Sequence, residues 1–201
     1  MATRRKKRPV RRVTRVPSGD TRRRRGPSPP DALLATLVTR VIAWEDEPDR
    51  EERREWLWIL ATMWLGLERH ALRGVLGALS GTPAERRLRE AGRLEQPASW
   101  AESINDVADR SAGLGGAALV AALSALLFAE HARLVRAYAT KAGARRYVWT
   151  TMRDERVRQL HRELEGTVQR WDRPPLAGHP DFHGHPGEAA GPCRCQAYPI
   201  I

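Results

Sequence analysis

The residues best suited to bind a metal or to catalyse a reaction lie near the C-terminal end of the chain. The stretch GHPDFHGHPGEAAGPCRC, from Gly178 to Cys195, holds three of the six histidines and both cysteines of the 201 residues. Imidazole and thiolate are the ligands that Zn²⁺ prefers in proteins. This composition raises three possibilities: a metal site, a catalytic centre, or a loop that is rich in ligand-type residues.

The two cysteines are separated by one residue, which suits shared coordination of an ion. Side chains at positions i and i+2 of an extended segment point to the same side, so Cys193 and Cys195 can reach one ion while Arg194 points away. A disulfide across this spacing would be badly strained. The pattern therefore favours reduced thiols and a reducing compartment.

A structural zinc site needs four ligands, and the sequence offers candidates for all of them. We predict that one zinc ion is held by Cys193, Cys195 and His161 together with a histidine of the tail. That histidine is His179, His183 or His185, and we take His185 as the working choice. The alternative is a pair of reduced thiols that pack near His161 without a metal.

His161 lies in a segment, DERVRQLHRELEG, that predicts one compact helix opened by Asp154 and closed by Gly166. Val157, Leu160 and Leu164 would form its buried face, and Asp154, Arg158 and His161 would line a neighbouring polar stripe. A solvated face with an Asp154 to Arg158 pair is one interpretation. The other is that His161 points toward the tail.

Signals for catalysis are weak. The sequence has no Gly-rich phosphate loop, no nucleophile elbow and no His-Glu-x-x-His pattern. We therefore expect a protein that is not an enzyme and has no catalytic residues. A metal-dependent hydrolase stays an alternative, which would need an open coordination position on the metal for an activated water.

The net charge of +11 comes from one end of the chain. The first 26 residues hold twelve basic residues and one acid, while the rest holds 23 of each sign. Residues 1–30 contain almost no large apolar side chains, so burial cannot offset their ordering entropy and we predict a disordered arm.

The basic residues of this arm can neutralise DNA phosphates and release counterions without reading sequence. No aromatic residue interrupts the run, which favours contact with a duplex backbone over stacking on single strands. The predicted DNA-binding residues are Arg4, Arg5, Lys6, Lys7, Arg8, Arg11, Arg12, Arg15, Arg22, Arg23, Arg24 and Arg25.

Apolar spacing predicts a helical domain over residues 31–142. The expected helices cover 31–44, the region from after Pro48 to about 80, 83–94, and 99–142 with a break near 113–116. The second must bury the stripe of Trp56, Leu60, Met63, Trp64, Leu67, Ala71 and Val75. The uncharged run from Ser111 to Ala129 is rich in Ala and Gly, so we expect a buried bundle helix and not a membrane span.

After Gly143 the pattern changes. The segments RRYVWTT and TVQRW are short, β-branched and aromatic, which is typical of strands, and prolines and glycines dominate from Asp172 onward. The predicted fold class is mainly α (α+β): a helical body, then a C-terminal module over 143–201 with short strands, one helix and a loop-rich tail.

The block from Ala129 to Pro199 resembles the phage Mu F-like minor head proteins, the phage head morphogenesis family. The resemblance rests on HARLVRAYATKAG, on YVWTTMRDERVRQLHRELEGTVQRWDRPP and on the closing PCRC. Its motif positions are Trp149, Asp154, Arg158 and Gly166, with His161 and the cysteine pair. Many relatives carry an Arg-Thr-Glu element before the motif, where this chain reads EHARLVR.

The resemblance implies a minor capsid protein of a phage or prophage, inside the head near the portal vertex and in the host cytoplasm during assembly. It implies roles in head assembly and in DNA packaging or ejection, with portal, major capsid or scaffold protein as partners. The short segment after Cys195 argues against a fused effector domain. A nucleoid-type DNA-binding protein with a zinc-stapled C-terminus is the main alternative.

Overall fold

The computed structural model describes residues 50–97, 99–111, 116–178, 181–188 and 193–201. The predicted arm over 1–30, with all twelve predicted DNA-binding residues, lies outside this part of the chain. So does the predicted helix over 31–44, and the side chain of Trp56 is likewise not described.

Four helices precede the first strand in the described residues: α1 (Arg50–Ala78), α2 (Pro83–Glu90), α3 (Ser99–Ser111) and α4 (Gly116–Lys141). The predicted helices from after Pro48 and from 99 to 142 are confirmed, the latter as two helices. The prediction of 83–94 was too long, because Gly92 adopts a left-handed φ of 70° that the helix cannot continue through.

The helical core forms where α1 packs on α4. The described part of the predicted α1 stripe is buried: Leu60, Met63, Trp64, Leu67, Ala71 and Val75. On the facing helix Leu123, Leu127, Leu134 and Tyr138 are fully buried. α3 joins this core through Trp100, whose indole N–H donates to the Leu60 carbonyl over 2.9 Å.

A charged residue lies inside this core. Glu68 is fully buried and accepts hydrogen bonds from the Arg93 guanidinium, with Nε 3.0 Å from Oε2, and from the Tyr138 hydroxyl. The Tyr138 oxygen in turn accepts from the Leu94 backbone N–H at 3.0 Å. Despite the opposing effect of burial, the bonds from Arg93 and Tyr138 hold the Glu68 pKa below its ordinary value.

We expect Glu68→Gln to lower the free energy of unfolding by about 2 kcal/mol at neutral pH, because it weakens the charge-assisted hydrogen bonds that the buried Glu68 carboxylate accepts from the half-exposed Arg93 and from Tyr138. The depressed Glu68 pKa stabilises the native chain above the unfolded-state pKa, and this stabilisation is lost as pH falls through the folded-state pKa. Urea denaturation across this pH range should show a weaker acid dependence in the variant. Glu85→Gln, which removes an exposed pair with Arg89, is the matched control and should change little.

A three-stranded antiparallel sheet follows the helices. β1 (Arg146–Thr150) is central, between β2 (Val168–Arg170) and β5 (Gln196–Ile200). Val148 faces Val168 on one side and Tyr198 on the other. Tyr147 and Trp149, which flank Val148 along β1, have fully buried side chains. The inner face of the sheet therefore joins the helical core.

The described part of the tail contains more β structure than its composition predicted. It contains a small hairpin of β3 (Leu176–Gly178) and β4 (Phe182–His183), and it ends in β5, which also contacts α1 and α4. The prediction of strands at the β1 and β2 positions is confirmed. β5 was missed, because its pairing with β1 spans about fifty residues and leaves no local signal.

The module's helix, α5 (Gln159–Leu164), is shorter than the predicted 154–165. Residues 154–157 form a turn in which the Asp154 carboxylate accepts the Arg156 backbone N–H at 3.2 Å and the Asp154 carbonyl accepts that of Val157. Short Asx turns of this kind compete with helix formation. Asp154 and Arg158 therefore do not form the predicted stripe on one helix with His161.

No helix in the described segments has the length and apolar character needed to cross a membrane.

Candidate metal centre

Three potential metal ligands meet between α5 and the extended segment before β5. His161 lies on α5, and Cys193 and Cys195 precede the strand. The Nδ1 of His161 is 3.6 Å from the Cys193 Sγ and 3.4 Å from the Cys195 Sγ, and the three ligand atoms all lie within 4.8 Å of one another. All three residues are buried, with at most 8% exposure.

The imidazole of His161 is oriented by a backbone carbonyl. Its Nε2 lies 2.8 Å from the Ala177 oxygen, which can only accept, so Nε2 carries the proton and donates. Nδ1 then faces the two sulfurs and is the ring nitrogen that would bind a metal ion. Histidine ligands of metals are commonly fixed by such a hydrogen bond at the second ring nitrogen. The ring packs against Trp149 in a T-shaped arrangement, with centroids 5.3 Å apart.

The electrostatics of the cluster favour a thiolate. Hydrogen bonds from the Cys195 thiol and from His161, with the backbone N–H groups of Cys195 and Gly187, lower the pKa of Cys193 against the effect of burial. The Cys193 thiolate and burial raise the pKa of Cys195. The same thiolate raises the pKa of His161. A metal ion would displace these protons, because thiolate and neutral imidazole are the ligand forms.

The spacing of the cluster fits a tetrahedral zinc site. Zn–S bonds of about 2.3 Å and Zn–N bonds of about 2.0 Å at tetrahedral angles place sulfur and nitrogen roughly 3.5 Å apart. The two sulfur–nitrogen distances of 3.6 and 3.4 Å match this value. His161, Cys193 and Cys195 could therefore hold a metal ion, as the spacing of the cysteines predicted.

The structure does not bring His185 to this cluster. His185 is buried elsewhere, with its Nδ1 3.0 Å from the Tyr147 hydroxyl and its ring 5.3 Å from that of Trp171. His183 is exposed, and its Nδ1 lies 3.1 Å from the Pro174 oxygen. His179, the third candidate, lies outside the described residues. The choice of His185 as the fourth ligand is therefore not supported by the geometry.

The other motif residues support the cluster from outside. Trp149 packs on His161, and the Gly166 backbone N–H donates to the Trp149 carbonyl at 2.9 Å where α5 turns back to the sheet. Asp154 pairs with Arg194, the residue between the two cysteines. Nothing in the sequence pointed to this partner of Arg194, because the two residues are forty positions apart.

A cavity of about 500 Å³ opens against the three ligand residues. Its apolar wall includes Val120 and Phe128 of α4 and Val157 of the turn before α5. Its polar wall includes the Asp154 to Arg194 pair, with Arg156 and Arg158. No local sequence signal indicated this cavity, because α4 and the 152–158 segment meet only in the folded chain.

Comparison with known proteins gives one family and one curated relative. The family model for "Phage Mu protein F like protein" matches residues 87–198, more than half of the 201 residues. An uncharacterized protein of Haemophilus influenzae (strain ATCC 51907 / DSM 11121 / KW20 / Rd) is 32% identical over 71 residues, which are 35% of this chain and 14% of that relative. The chain thus matches only a small part of this relative's length. No solved structure matches the chain.

Proposed function

The chain belongs to the phage Mu protein F like family, and from this membership we propose that it is a non-enzymatic minor head protein of a phage or prophage. The observation that carries the proposal is the family match itself, since residues 87–198 include His161 and both cysteines. The protein acts in head morphogenesis inside the virion, near the portal vertex, during assembly and during DNA packaging or ejection. Its partners are portal protein and major capsid or scaffold protein.

The metal centre has a structural role in this proposal. One zinc ion bound by His161, Cys193 and Cys195 would tie α5 to the segment that leads into β5. β5 contacts β1, α1 and α4, so its attachment joins the tail to the helical body. The ion thereby stabilises a Gly/Pro-rich tail whose few apolar residues give it little core of its own.

The predicted basic arm supplies non-specific contact with packaged DNA. Deleting residues 2–26 should abolish salt-dependent binding to random duplex DNA and leave the circular dichroism spectrum of the folded body unchanged, because the excess positive charge lies in these residues. Fluorescence anisotropy at several salt concentrations measures this. Binding that survives the deletion would exclude the arm as the contact.

A paired substitution sharpens this test. Arg22→Gln with Arg23→Gln should reduce the slope of log affinity against log salt by about 2, if both residues contact phosphates. Arg69→Gln with Arg86→Gln removes two exposed arginines of the helical body and is the matched control. An equal change in both variants would show that DNA binding is spread over the surface.

Virion composition tests the head function itself. We expect a few copies per virion by quantitative mass spectrometry, together with co-purification of the portal protein. Abundant association with host DNA, and absence from virions, would instead favour the nucleoid-type alternative. Metal-dependent turnover of a phosphoester or peptide substrate that is lost in Cys193→Ser would favour the hydrolase.

A further inference from the structure

We propose that the metal centre has a fourth coordination position that opens into the adjoining cavity and takes an anionic oxygen donor, a carboxylate, from outside the cluster. The inference rests on the metal binding proposed above. It concerns the source and the chemical class of the fourth ligand.

The described residues supply three donor atoms, and the contacts around the cluster fix how the His161 ring is oriented. The Nδ1 of His161 faces both sulfurs while its Nε2 is held by the Ala177 carbonyl. Among the described histidines, cysteines and acids, the group that could share one ion contains His161, Cys193 and Cys195 alone. Zinc sites in proteins usually have four ligands, so these three donors leave one position to a ligand from elsewhere.

The cavity gives the fourth position access. It has about 500 Å³ and is lined by all three ligand residues, so a donor within it can approach the ion directly. Cavities that bind small molecules span roughly 300 to 1,000 Å³, whereas one water molecule occupies about 30 Å³ in the liquid. The space is therefore large enough for a carboxylate with its carbon chain.

The charge of the site favours an anion over a neutral donor. A Zn²⁺ ion with two thiolates and a neutral imidazole has no net charge. Asp154 and Arg194 offset each other in the cavity wall, while Arg156 adds positive charge. A monoanionic donor gains from this arginine, whose guanidinium group matches a carboxylate well.

Cobalt reports on the fourth ligand directly, because the visible absorption of tetrahedral Co²⁺ changes when one donor is exchanged. The full chain is reconstituted with one equivalent of Co²⁺ and titrated with azide as an anionic probe and with imidazole as a neutral one. We expect saturable spectral changes with azide. Arg156→Gln should weaken azide binding about fivefold and leave imidazole binding unchanged, since one charge acts on the anion alone.

A substitution that fills the cavity tests whether azide reaches the metal through it, independently of metal binding itself. Ala121 lines the cavity from α4 and is exposed, so Ala121→Phe should keep Co²⁺ but weaken azide binding roughly tenfold or more. Thr140→Phe, at an exposed position of the same helix outside the cavity lining, is the matched control. Equal azide binding in both variants would overturn the access route.

Two further titrations identify the source of the donor. Free acetate is compared with a blocked tetrapeptide that contains one aspartate, with the asparagine peptide as its control. Displacement of azide by acetate alone indicates a small anion, and tighter displacement by the aspartate peptide indicates a side chain of a protein partner. Both results support a carboxylate donor, and failure of both to displace azide overturns it.

The failures of the two proposals are distinguishable. A chain that binds no Co²⁺ or Zn²⁺ refutes the metal centre. A chain that binds Co²⁺ with a spectrum indifferent to azide, acetate and imidazole keeps the metal centre and refutes the open position. A change of the Co²⁺ spectrum in His179→Ala without added ligand would also refute it, because the fourth ligand would then come from the chain.

Discussion

Cys193→Ser is expected to reduce the zinc content from one ion per chain to none and to lower the free energy of unfolding by more than about 4 kcal/mol. Cys193 is buried at 4% exposure, and its lowered pKa makes it the first thiolate of the cluster. A serine hydroxyl does not ionise at neutral pH, so it cannot replace that thiolate as a ligand. The remaining pair, His161 and Cys195, provides too few donors for a structural site.

Elemental analysis of dialysed protein and urea denaturation with and without a chelator measure both effects. His183→Ala is the matched control, since this exposed histidine lies outside the cluster and should leave zinc content and stability unchanged. A native chain whose denaturation curve does not respond to the chelator, and which holds no zinc, would show that the thiols only pack against His161.

His185→Ala tests whether His185 is the fourth zinc ligand, as the sequence predicted, or lies outside the cluster, as in the folded chain. If His185 were the fourth ligand, its loss would release the zinc. Because its Nδ1 instead faces the Tyr147 hydroxyl at 3.0 Å, we expect the variant to lose stability while it keeps one zinc per chain. Zinc loss in this variant at equal folded fraction would contradict the arrangement described above.

Gly187→Ala is expected to destabilise the chain by about 2 to 4 kcal/mol, the sum of a backbone cost and a steric cost. Gly187 has a φ of 88°, which L side chains rarely adopt. A Cβ atom at this position would lie 2.6 Å from the Ala132 Cβ and 2.9 Å from the Phe128 carbonyl oxygen. Both atoms belong to α4, and neither can move without displacing that helix.

Gly166→Ala isolates the backbone cost, because Gly166 has a φ of 71° but nothing within 4 Å of an added Cβ. We expect a loss of about 1 kcal/mol there. Ala132→Gly in the Gly187→Ala background should recover part of the steric cost, and a double-mutant cycle by urea denaturation measures the coupling. Equal losses at both glycines, without coupling to Ala132, would show that α4 does not constrain this turn.

The Gly187 substitution should also weaken zinc binding. The Gly187 backbone N–H is one of the groups that lower the Cys193 pKa, so a displaced turn leaves Cys193 more basic and less available as a thiolate. Competition with a chromogenic chelator at fixed pH measures the change in affinity. Gly166→Ala, whose backbone N–H donates to Trp149 instead, should bind zinc as the native chain does.

Local patterns were sufficient for the helical body and for part of the site. The α1 stripe from Leu60 to Val75 is buried as its spacing predicted, because one face of a helix must be covered wherever the partner lies. The strand at Arg146–Thr150 follows from residue preferences of the same local kind. The family resemblance, carried by residues close in sequence, is confirmed by the match over 87–198.

The shared side of Cys193 and Cys195 also followed from sequence, because a two-residue period is a property of any extended chain. Only the tertiary structure decided what surrounds these sulfurs. The Ala177 carbonyl orients His161, and Asp154 pairs with Arg194. His185 lies against the Tyr147 hydroxyl, outside the cluster. Each of these contacts joins residues 16 to 40 positions apart, and such pairings depend on how β5, α4 and α5 pack. The residue types thus determined which ligands the chain can offer, whereas packing determined which of them meet.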